Sequence, residues 1–298
     1  MSFEQVTQIG KGAYGVVYKA KLSGTSTFVA LKQIKIKKEE GLPCTSLREI
    51  SILKHVHHPN IISLESVFHT KKHITLVFEY CDSDLLRFMK NKNNELSLAE
   101  VKSFSYQLLD AVRYIHSKSI IHRDIKPQNI LISSNGNCLK LCDFGLTCLL
   151  NVPHQKLSLE VVTQWYRAPE IILMDHRYGL ESDLWSVGCL IYEILTGNPL
   201  FPCKDNKEHI QRIFGLIGSP NFFSDWHCYW PEALKLEGYP KNVERRSGRG
   251  VRSLLLGYNA DVIDLIEGLL VLDPKKRLTA KEALEHYFFD DFRGIIHE

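Results

Sequence analysis

The sequence lacks the features that would mark a secreted, membrane-spanning or nucleic-acid-binding protein. Its eight cysteines include no C-x-x-C pair, and the opening residues MSFEQVTQIG contain no apolar signal region. No apolar run reaches the ~18 residues that a membrane-spanning helix needs. The net charge is only +3, so no global field favours nucleic acid or a membrane as a partner. These absences predict a protein of the cytoplasm or nucleus, with reduced thiols and neither of those partners.

The chain divides into a strand-rich front and a helix-rich back. Residues 4–80 are rich in β-branched and aromatic residues and are interrupted by one helical stretch that opens at Thr45. From Ser97 onward the apolar residues recur at helical spacing. The predicted helices cover residues 98–117, 181–196, 206–217, 261–270 and 280–287. A crevice near residues 78–84, where the two parts join, is where a small ligand is expected.

A glycine-rich segment near the start of the chain is suited to phosphate. Gly10, Gly12 and Gly15 lie in GKGAYGVV, a G-x-G-x-x-G-x-V pattern whose missing Cβ atoms let backbone amides approach phosphate. A dinucleotide-binding turn would open a helix, yet a second strand follows here. The pattern therefore favours a hairpin flap over phosphates, with an ordinary glycine-rich hairpin as the alternative.

A lysine on the next strand has a predicted acidic partner. Lys32 ends the run VALK, from which it could reach the phosphates of ATP. Glu49, on the helix that follows, would hold Lys32 extended through an ion pair. Taken alone, Lys32 could equally be a solvated surface lysine, so the interpretation depends on the later motifs.

The segment HRDIKPQN at 122–129 is the most informative in the chain. Asp124 would orient the substrate hydroxyl and accept its proton, and Lys126 would neutralise charge on the transferring phosphoryl group. Asn129 would bind magnesium, together with Asp143 of the DFG sequence at 143–145. The sequence APE follows at 168–170. These motifs in this order predict phosphoryl transfer from ATP with Mg²⁺.

With these motifs the chain resembles a eukaryotic protein kinase from residue 3 to about residue 292. The resemblance implies an α+β, bilobal fold: a single kinase domain over residues 1–298, with a small strand-rich N-lobe at 1–80 and a larger helical C-lobe at 81–298. It implies a clamp between Glu170 and Arg277, and a brace from Asp183 to the catalytic loop. Besides Gly10, Gly12, Gly15 and Lys32, it implies that ATP contacts Ile9, Val17, Ala30, Phe78, Glu79, Cys81, Asp84, Gln128 and Leu131.

Further segments resemble the cyclin-dependent kinases. Residues 43–49, PCTSLRE, are similar to the PSTAIRE helix, and residues 160–167, EVVTQWYR, are similar to a second segment of that family. Lys126, two residues after Asp124, is typical of serine/threonine kinases. The resemblance implies a cyclin on the helix from Pro43 to Leu53, an outward position of that helix at rest, and protein substrates with Ser/Thr-Pro sites. Proline suits the predicted pocket because it has no N–H to satisfy.

The resemblance also implies regulatory positions. Tyr14 corresponds to an inhibitory phosphorylation site in the glycine loop. Ser158 corresponds to the activation-loop phosphorylation site, whose phosphate would be held by Arg48 and Arg123. The family's third arginine is replaced by Cys148, which weakens the case that phosphorylation of Ser158 is required.

Two other functions remain as alternatives, and one basic stretch is left unassigned. The chain could be a cyclin-independent proline-directed kinase, although its activation loop lacks the Thr-x-Tyr pair of the mitogen-activated type. A non-catalytic scaffold of kinase fold is also conceivable, although no catalytic residue is lost. Residues 245–252, RRSGRGVR, predict a mobile, solvated loop, with a docking patch for acidic or phosphorylated partners as the alternative.

Overall fold

The chain folds into two compact units. A computed structural model describes residues 2–12, 15–36, 42–133, 135–150 and 164–293. The first unit comprises Met1–Leu85 and Gln128–Thr147, and the second comprises Leu86–Pro127 and Cys148–Glu298. Strands dominate the first unit and helices the second, which confirms the predicted α+β kinase fold.

The first unit is built on an antiparallel five-stranded sheet and one helix. Its core includes Ala20, Val29, Leu31 and Val77, and the two β-branched valines are of the type that packs well on a pleated surface. Strand order is β1-β2-β3-β5-β4, so β3 is the central strand. The strands are β1 (Phe3–Gly12), β2 (Gly15–Leu22), β3 (Phe28–Lys35), β4 (Leu64–His69) and β5 (His73–Glu79), and the helix is α1 (Cys44–Leu53).

Residues 128–147 join this unit through backbone hydrogen bonds. Strands β6 (Ser83–Asp84), β8 (Ile130–Ile132) and β9 (Leu139–Leu141) form a small sheet in which β8 is central. The amide of Leu141 donates to the carbonyl of Asn60 at 2.8 Å, and the carbonyl of Leu141 accepts from Ile62 at 3.0 Å. These bonds tie the strand that leads into Asp143 to the segment just before β4, in the same unit as Lys32.

The second unit is organised around a buried helix. Helix α5 (Glu181–Thr196) is apolar around most of its surface, as expected for a helix surrounded by other elements. It packs against α3 (Leu98–Ser117) and α7 (Ala260–Leu269). Strands β7 (Ile120–Ile121) and β10 (Cys148–Leu149) pair with each other. The remaining helices are α2 (Leu85–Asn91), α4 (Pro169–Ile172), α6 (Asn206–Leu216), α8 (Ala280–Leu284) and α9 (Asp290–Arg293).

Four of the five predicted helices have the predicted bounds to within one residue at each end, and the fifth prediction is too long. The predictions for 98–117 and 181–196 are confirmed, and a capping box of Ser97 and Glu100 starts the first of them. The prediction for 280–287 is wrong, since α8 ends at Leu284. The ring of His286 there accepts a hydrogen bond from the amide of Phe288 and starts a separate 3₁₀ turn. Among the described helices, none is both long and apolar enough to cross a bilayer.

Candidate active site

The glycine-rich segment forms a hairpin, as predicted. Strands β1 and β2 pair antiparallel, with Gly12 opposite Gly15 at the end of the ladder. A Cβ atom at Gly15 would lie 2.2 Å from the carbonyl oxygen of Gln33 on β3. Any side chain there would force β2 away from the central strand, so glycine is required for this packing. Tyr14 lies outside the described residues.

Lys32, Glu49 and Asp143 form a charged cluster in the first unit. The Lys32 Nζ atom lies 2.7 Å from Oε2 of Glu49 and 3.9 Å from Oδ1 of Asp143. Burial acts to lower the pKa of Lys32, but the charges of Glu49 and Asp143 outweigh it and raise that pKa above its ordinary value. Lys32 is therefore a fixed cation on the central strand, which answers the alternative of a solvated surface lysine.

Helix α1 is held in the position that allows this pair. Glu49 is buried, while Leu47 on the same helix is 52% exposed. Arg48 donates a hydrogen bond of 3.0 Å to the carbonyl of Gly145, in the turn after Asp143. The structure thus has the helix in the paired position and differs from the outward resting position implied by the resemblance. The charge attraction and the Arg48 bond are the physical reasons.

Asn129 and Asp143 are brought together by the backbone. The amide of Cys142 donates to the carbonyl of Asn129 at 2.9 Å. Asn129 comes just before β8 and Asp143 comes just after β9, so the two predicted magnesium ligands lie at the same end of two paired strands. Asp143 has a φ of 62°, an unusual value for a residue other than glycine. Side-chain oxygens of this kind suit Mg²⁺, which typically takes one or two protein ligands and completes its shell with phosphate and water. The donor set therefore fits magnesium held jointly with ATP.

The residues predicted to enclose adenine all lie in the first unit. On adjacent strands of the large sheet, Val17 pairs with Lys32 and Ala30 pairs with Phe78. In the small sheet Asp84 pairs with Leu131. Of the other predicted contacts, Ile9 is 50% exposed, and Gln128 is exposed in the turn Pro127–Asn129.

Glu79 has a structural role that the sequence did not indicate. Its amide donates to the carbonyl of Ser63 at 3.2 Å, so this N–H is already engaged and cannot serve adenine. Its carboxylate lies 2.8 Å from the Nζ atom of Lys140 and accepts from the amide of Ser63. Lys140 alternates with apolar residues on β9, a pattern typical of a surface lysine, so no sequence signal identified it. Burial raises the pKa of the nearby Cys81 to about 12, which keeps this thiol uncharged.

The predicted catalytic base lies in the second unit. Asp124 is buried, and its Oδ2 atom is 2.7 Å from Nζ of Lys126. The two oxygens of Asp183 on α5 accept from the amides of His122 and Arg123 at 2.8 and 2.9 Å. These bonds fix the backbone immediately before Asp124. The segment 122–129 continues into the first unit at Gln128, so Asn129 belongs to the other unit.

A histidine that the sequence reasoning missed supports this brace. The Nε2 atom of His116 lies 2.9 Å from Oδ2 of Asp183. Burial acts to raise the pKa of Asp183, but its hydrogen bond to His116, the nearby imidazoles and the loop amide hold it below the ordinary value. Asp183 therefore stays an acceptor for two amides. His116 lies in the last turn of an amphipathic helix, where a histidine is usually a capping residue, so the sequence offered no signal for this role.

Two of the remaining motif residues, Glu170 and Arg277, form the predicted buried clamp, and other residues contact the predicted regulatory arginine Arg123. Arg277 lies 2.9 Å from Glu170, with both side chains fully buried. Arg123 donates to the hydroxyl of Tyr178 at 3.1 Å, and Cys148 is buried in β10. A thiol at this position cannot provide the third guanidinium group that the family uses to hold the activation-loop phosphate. Ser158, the predicted phosphorylation site, lies outside the described residues.

Comparison with protein families places this geometry in a known group. The family model described as "Protein kinase domain" matches residues 3–289, which is almost the whole chain. The matched range contains the glycine hairpin, the Lys32–Glu49 pair and the segment with Asp124. The chain therefore belongs to the protein kinase family.

Proposed function

We propose that this protein kinase is a cyclin-dependent serine/threonine kinase that transfers the γ-phosphate of ATP to Ser/Thr-Pro sites in proteins. The main support for phosphate transfer is the charged cluster in which Lys32 lies 2.7 Å from Glu49 and 3.9 Å from Asp143. A partly buried lysine near two carboxylates has its charge fixed and its position restricted, as binding to ATP phosphates requires. A scaffold that had lost catalysis would not need this cluster.

Each charged residue has a defined task in the proposed reaction. Lys32 binds and orients the ATP phosphates, and Asp124 orients the acceptor hydroxyl and takes its proton. Lys126 stabilises charge on the transferring phosphoryl group. Magnesium, held by Asn129 and Asp143, would neutralise charge on the phosphates. Catalysis in this scheme comes from positioning and electrostatics.

The Ser/Thr-Pro preference rests on the segment with Arg167. Burial lowers the pKa of Arg167 below its ordinary value, and its NH1 atom donates to Oδ1 of Asn206 at 3.0 Å. A guanidinium held in this way restricts the backbone around it, in support of a pocket that accepts a residue without an N–H. Val162, the other predicted member of this pocket, lies outside the described residues.

Cyclin dependence is supported by the exposed side of α1. Leu47 is 52% exposed, which is unusual for a leucine on a helix whose neighbours Glu49 and Leu53 are buried. An apolar partner could cover it and hold the helix in the paired position. The cyclin-independent kinase is favoured by a different observation, namely that Glu49 already lies on Lys32 in this chain.

Phosphate transfer from magnesium ATP to a Ser-Pro-x-Lys peptide tests the proposal, with the purified chain alone and with candidate cyclins. Strong stimulation by a cyclin would support it in full. Equal activity of the chain alone would support the kinase activity but exclude its dependence on a cyclin. A Ser-Ala-x-Lys peptide, which keeps the acceptor serine but lacks the proline, would exclude the Ser/Thr-Pro preference if it were phosphorylated equally well. Absence of transfer with every partner would favour the scaffold.

The regulatory and cellular parts of the proposal have their own tests. Tyr14→Phe should remove inhibition by a kinase that phosphorylates the glycine loop. Ser158→Ala should keep nearly full activity with cyclin, because Cys148 leaves the phosphate one arginine short. We place the protein in the cytoplasm, the nucleus or both, which imaging of the tagged chain would check.

A further inference from the structure

Three arginines at the end of α6 have no acidic partner among the described residues. Arg245, Arg246 and Arg249 are exposed, and no described carboxylate forms an ion pair with them. Residues 241–252 contain five basic residues and one acidic residue. In a chain with a net charge of only +3, this is a concentrated positive surface.

Other partly exposed arginines of the same unit are paired. Arg113, Arg212 and Arg252 hold carboxylates at 2.6, 2.8 and 2.8 Å. A surface arginine in this protein therefore commonly has a carboxylate of the chain itself. The three arginines at the end of α6 instead present their guanidinium groups to the solvent, and we call them the arginine patch.

The backbone of the arginine patch is fixed rather than free. Ser219 is fully buried, and its hydroxyl oxygen accepts a hydrogen bond of 2.8 Å from the amide of Arg246. The amide of Ser219 in turn donates to the carbonyl of Arg246 at 3.0 Å. The amide of Gly250 donates to the carbonyl of Leu216 at 2.8 Å. A Cβ atom at Gly248 would lie 2.1 Å from that same oxygen. The sequence predicted a mobile loop here, whereas these contacts hold the backbone of the segment against the end of α6.

An exposed aromatic ring orients one member of the patch. The guanidinium of Arg245 lies over the ring of Phe223 with 3.8 Å from Cζ to the centroid, and this ring is 65% exposed. Stacking engages the face of a guanidinium and leaves the N–H groups at its edge available for oxygen anions. Trp226, in the same loop, is 55% exposed and adds apolar surface beside the charges.

We propose that the arginine patch, with Phe223 and Trp226, is a docking surface for an acidic segment of a protein substrate. The charges are complementary, and arginines on a fixed backbone lose less conformational freedom on binding than arginines on a mobile loop. Carboxylates match the planar fork of each guanidinium. Substrate docking here would raise the local concentration of the acceptor site without a new contact at the site of phosphate transfer. This inference rests on the proposed function for the identity of the partner.

Binding can be measured without kinase activity. Fluorescence anisotropy of a labelled peptide rich in Glu and Asp, on the whole chain, should give a Kd at least about tenfold weaker for Arg245→Gln/Arg246→Gln/Arg249→Gln. The variant Lys207→Gln/Lys235→Gln/Lys275→Gln removes three other exposed charges and should change the Kd by less than about twofold, because long-range charge effects are screened. Phe223→Ala should weaken binding by a smaller factor than the triple arginine variant.

Kinetics connect binding to phosphate transfer. A Ser-Pro peptide joined to the acidic peptide by a flexible linker of about 20 residues should have a lower KM than the Ser-Pro peptide alone, at unchanged kcat. The triple arginine variant should lose this difference and keep the kcat of both peptides. If no peptide is phosphorylated, the proposed function fails, while the anisotropy result still decides the docking surface.

Three results would overturn the inference. Equal binding of the acidic peptide by the two triple variants would mean that the peptide responds to the overall positive charge of the protein and not to the arginine patch. Lower stability of the triple arginine variant with unchanged binding would make the patch a structural support for the end of α6. Tighter binding of a single-stranded oligonucleotide than of the acidic peptide would assign the surface to nucleic acid.

Discussion

The guanidinium of Arg277 lies 2.9 Å from the carboxylate of Glu170, and solvent reaches neither side chain. Arg277 also donates to the backbone carbonyl of Glu181 and, at 3.2 Å, to that of Val271. A single guanidinium thus joins α4, the start of α5 and the segment after α7. Its removal would leave a buried carboxylate and two backbone carbonyls without this donor.

We therefore expect Arg277→Met to lower the free energy of unfolding by about 3 to 5 kcal/mol. Urea denaturation followed by circular dichroism is the measurement. Arg113→Met, which breaks the exposed pair with Asp110, is the matched control and should cost less than about 1 kcal/mol. Equal effects of the two substitutions would contradict the buried-charge argument.

Lys32→Met should reduce phosphate transfer at least about a hundredfold, because it removes a preorganised charge from the ATP phosphates. Lys35→Met on the same strand is the matched control, since Lys35 is exposed and three residues further on. Initial rates with magnesium ATP at several concentrations would compare them. A Lys32→Met protein with normal kcat/KM for ATP would exclude the proposed role.

Asp183→Asn should lower kcat about tenfold or more and leave the KM for ATP nearly unchanged. An amide offers one acceptor oxygen where the carboxylate offers two, so one of the His122 and Arg123 amides loses its partner. The backbone before Asp124 would shift, and misplacement of a catalytic group is costly. Asp110→Asn, on the surface of α3, is the control. A change confined to KM would argue against a positioning role.

The stability of the protein should fall between pH 7 and pH 5 because of His209. Its ring is fully buried and neither nitrogen has a hydrogen-bond partner among the described residues. Burial, with smaller contributions from the charges of Arg167 and Arg212, lowers its pKa to about 3. The unfolded chain takes up a proton near pH 6.5 and the folded chain does not, so acid favours unfolding by about 2 kcal/mol over this range.

His209→Gln isolates this contribution. Urea denaturation at several pH values should show a smaller loss of stability on acidification for this variant than for the wild type. The exposed His176→Gln should keep the wild-type dependence. Identical pH profiles of His209→Gln and the wild type would mean that the buried ring is protonated at the same pH as in the unfolded chain.

The sequence alone predicted the elements whose signals are local. Helix α3 has a capping box and an apolar face, and α5 has an almost continuous apolar run, so their bounds follow from periodicity and capping. The residues proposed for catalysis were also predicted, because the motifs specify residue types at short fixed offsets. The break after Leu284 was missed because the histidine at 286 caps the next turn, a competition that periodicity does not register.

Tertiary structure alone decided the contacts that join distant segments. The sequence could propose Glu49 for Lys32, but only the packing of α1 on the turn after Asp143 brings the pair to 2.7 Å. His116 and Lys140 occupy positions typical of surface residues, and their partners lie 67 and 61 residues away. The sequence predicted the solvent exposure of the arginine patch, but only the hydrogen bonds of Ser219 and Leu216 to this segment show that its backbone is held in place. Local patterns determine elements and motifs, whereas burial and long-range hydrogen bonds determine which charges are paired and which remain available.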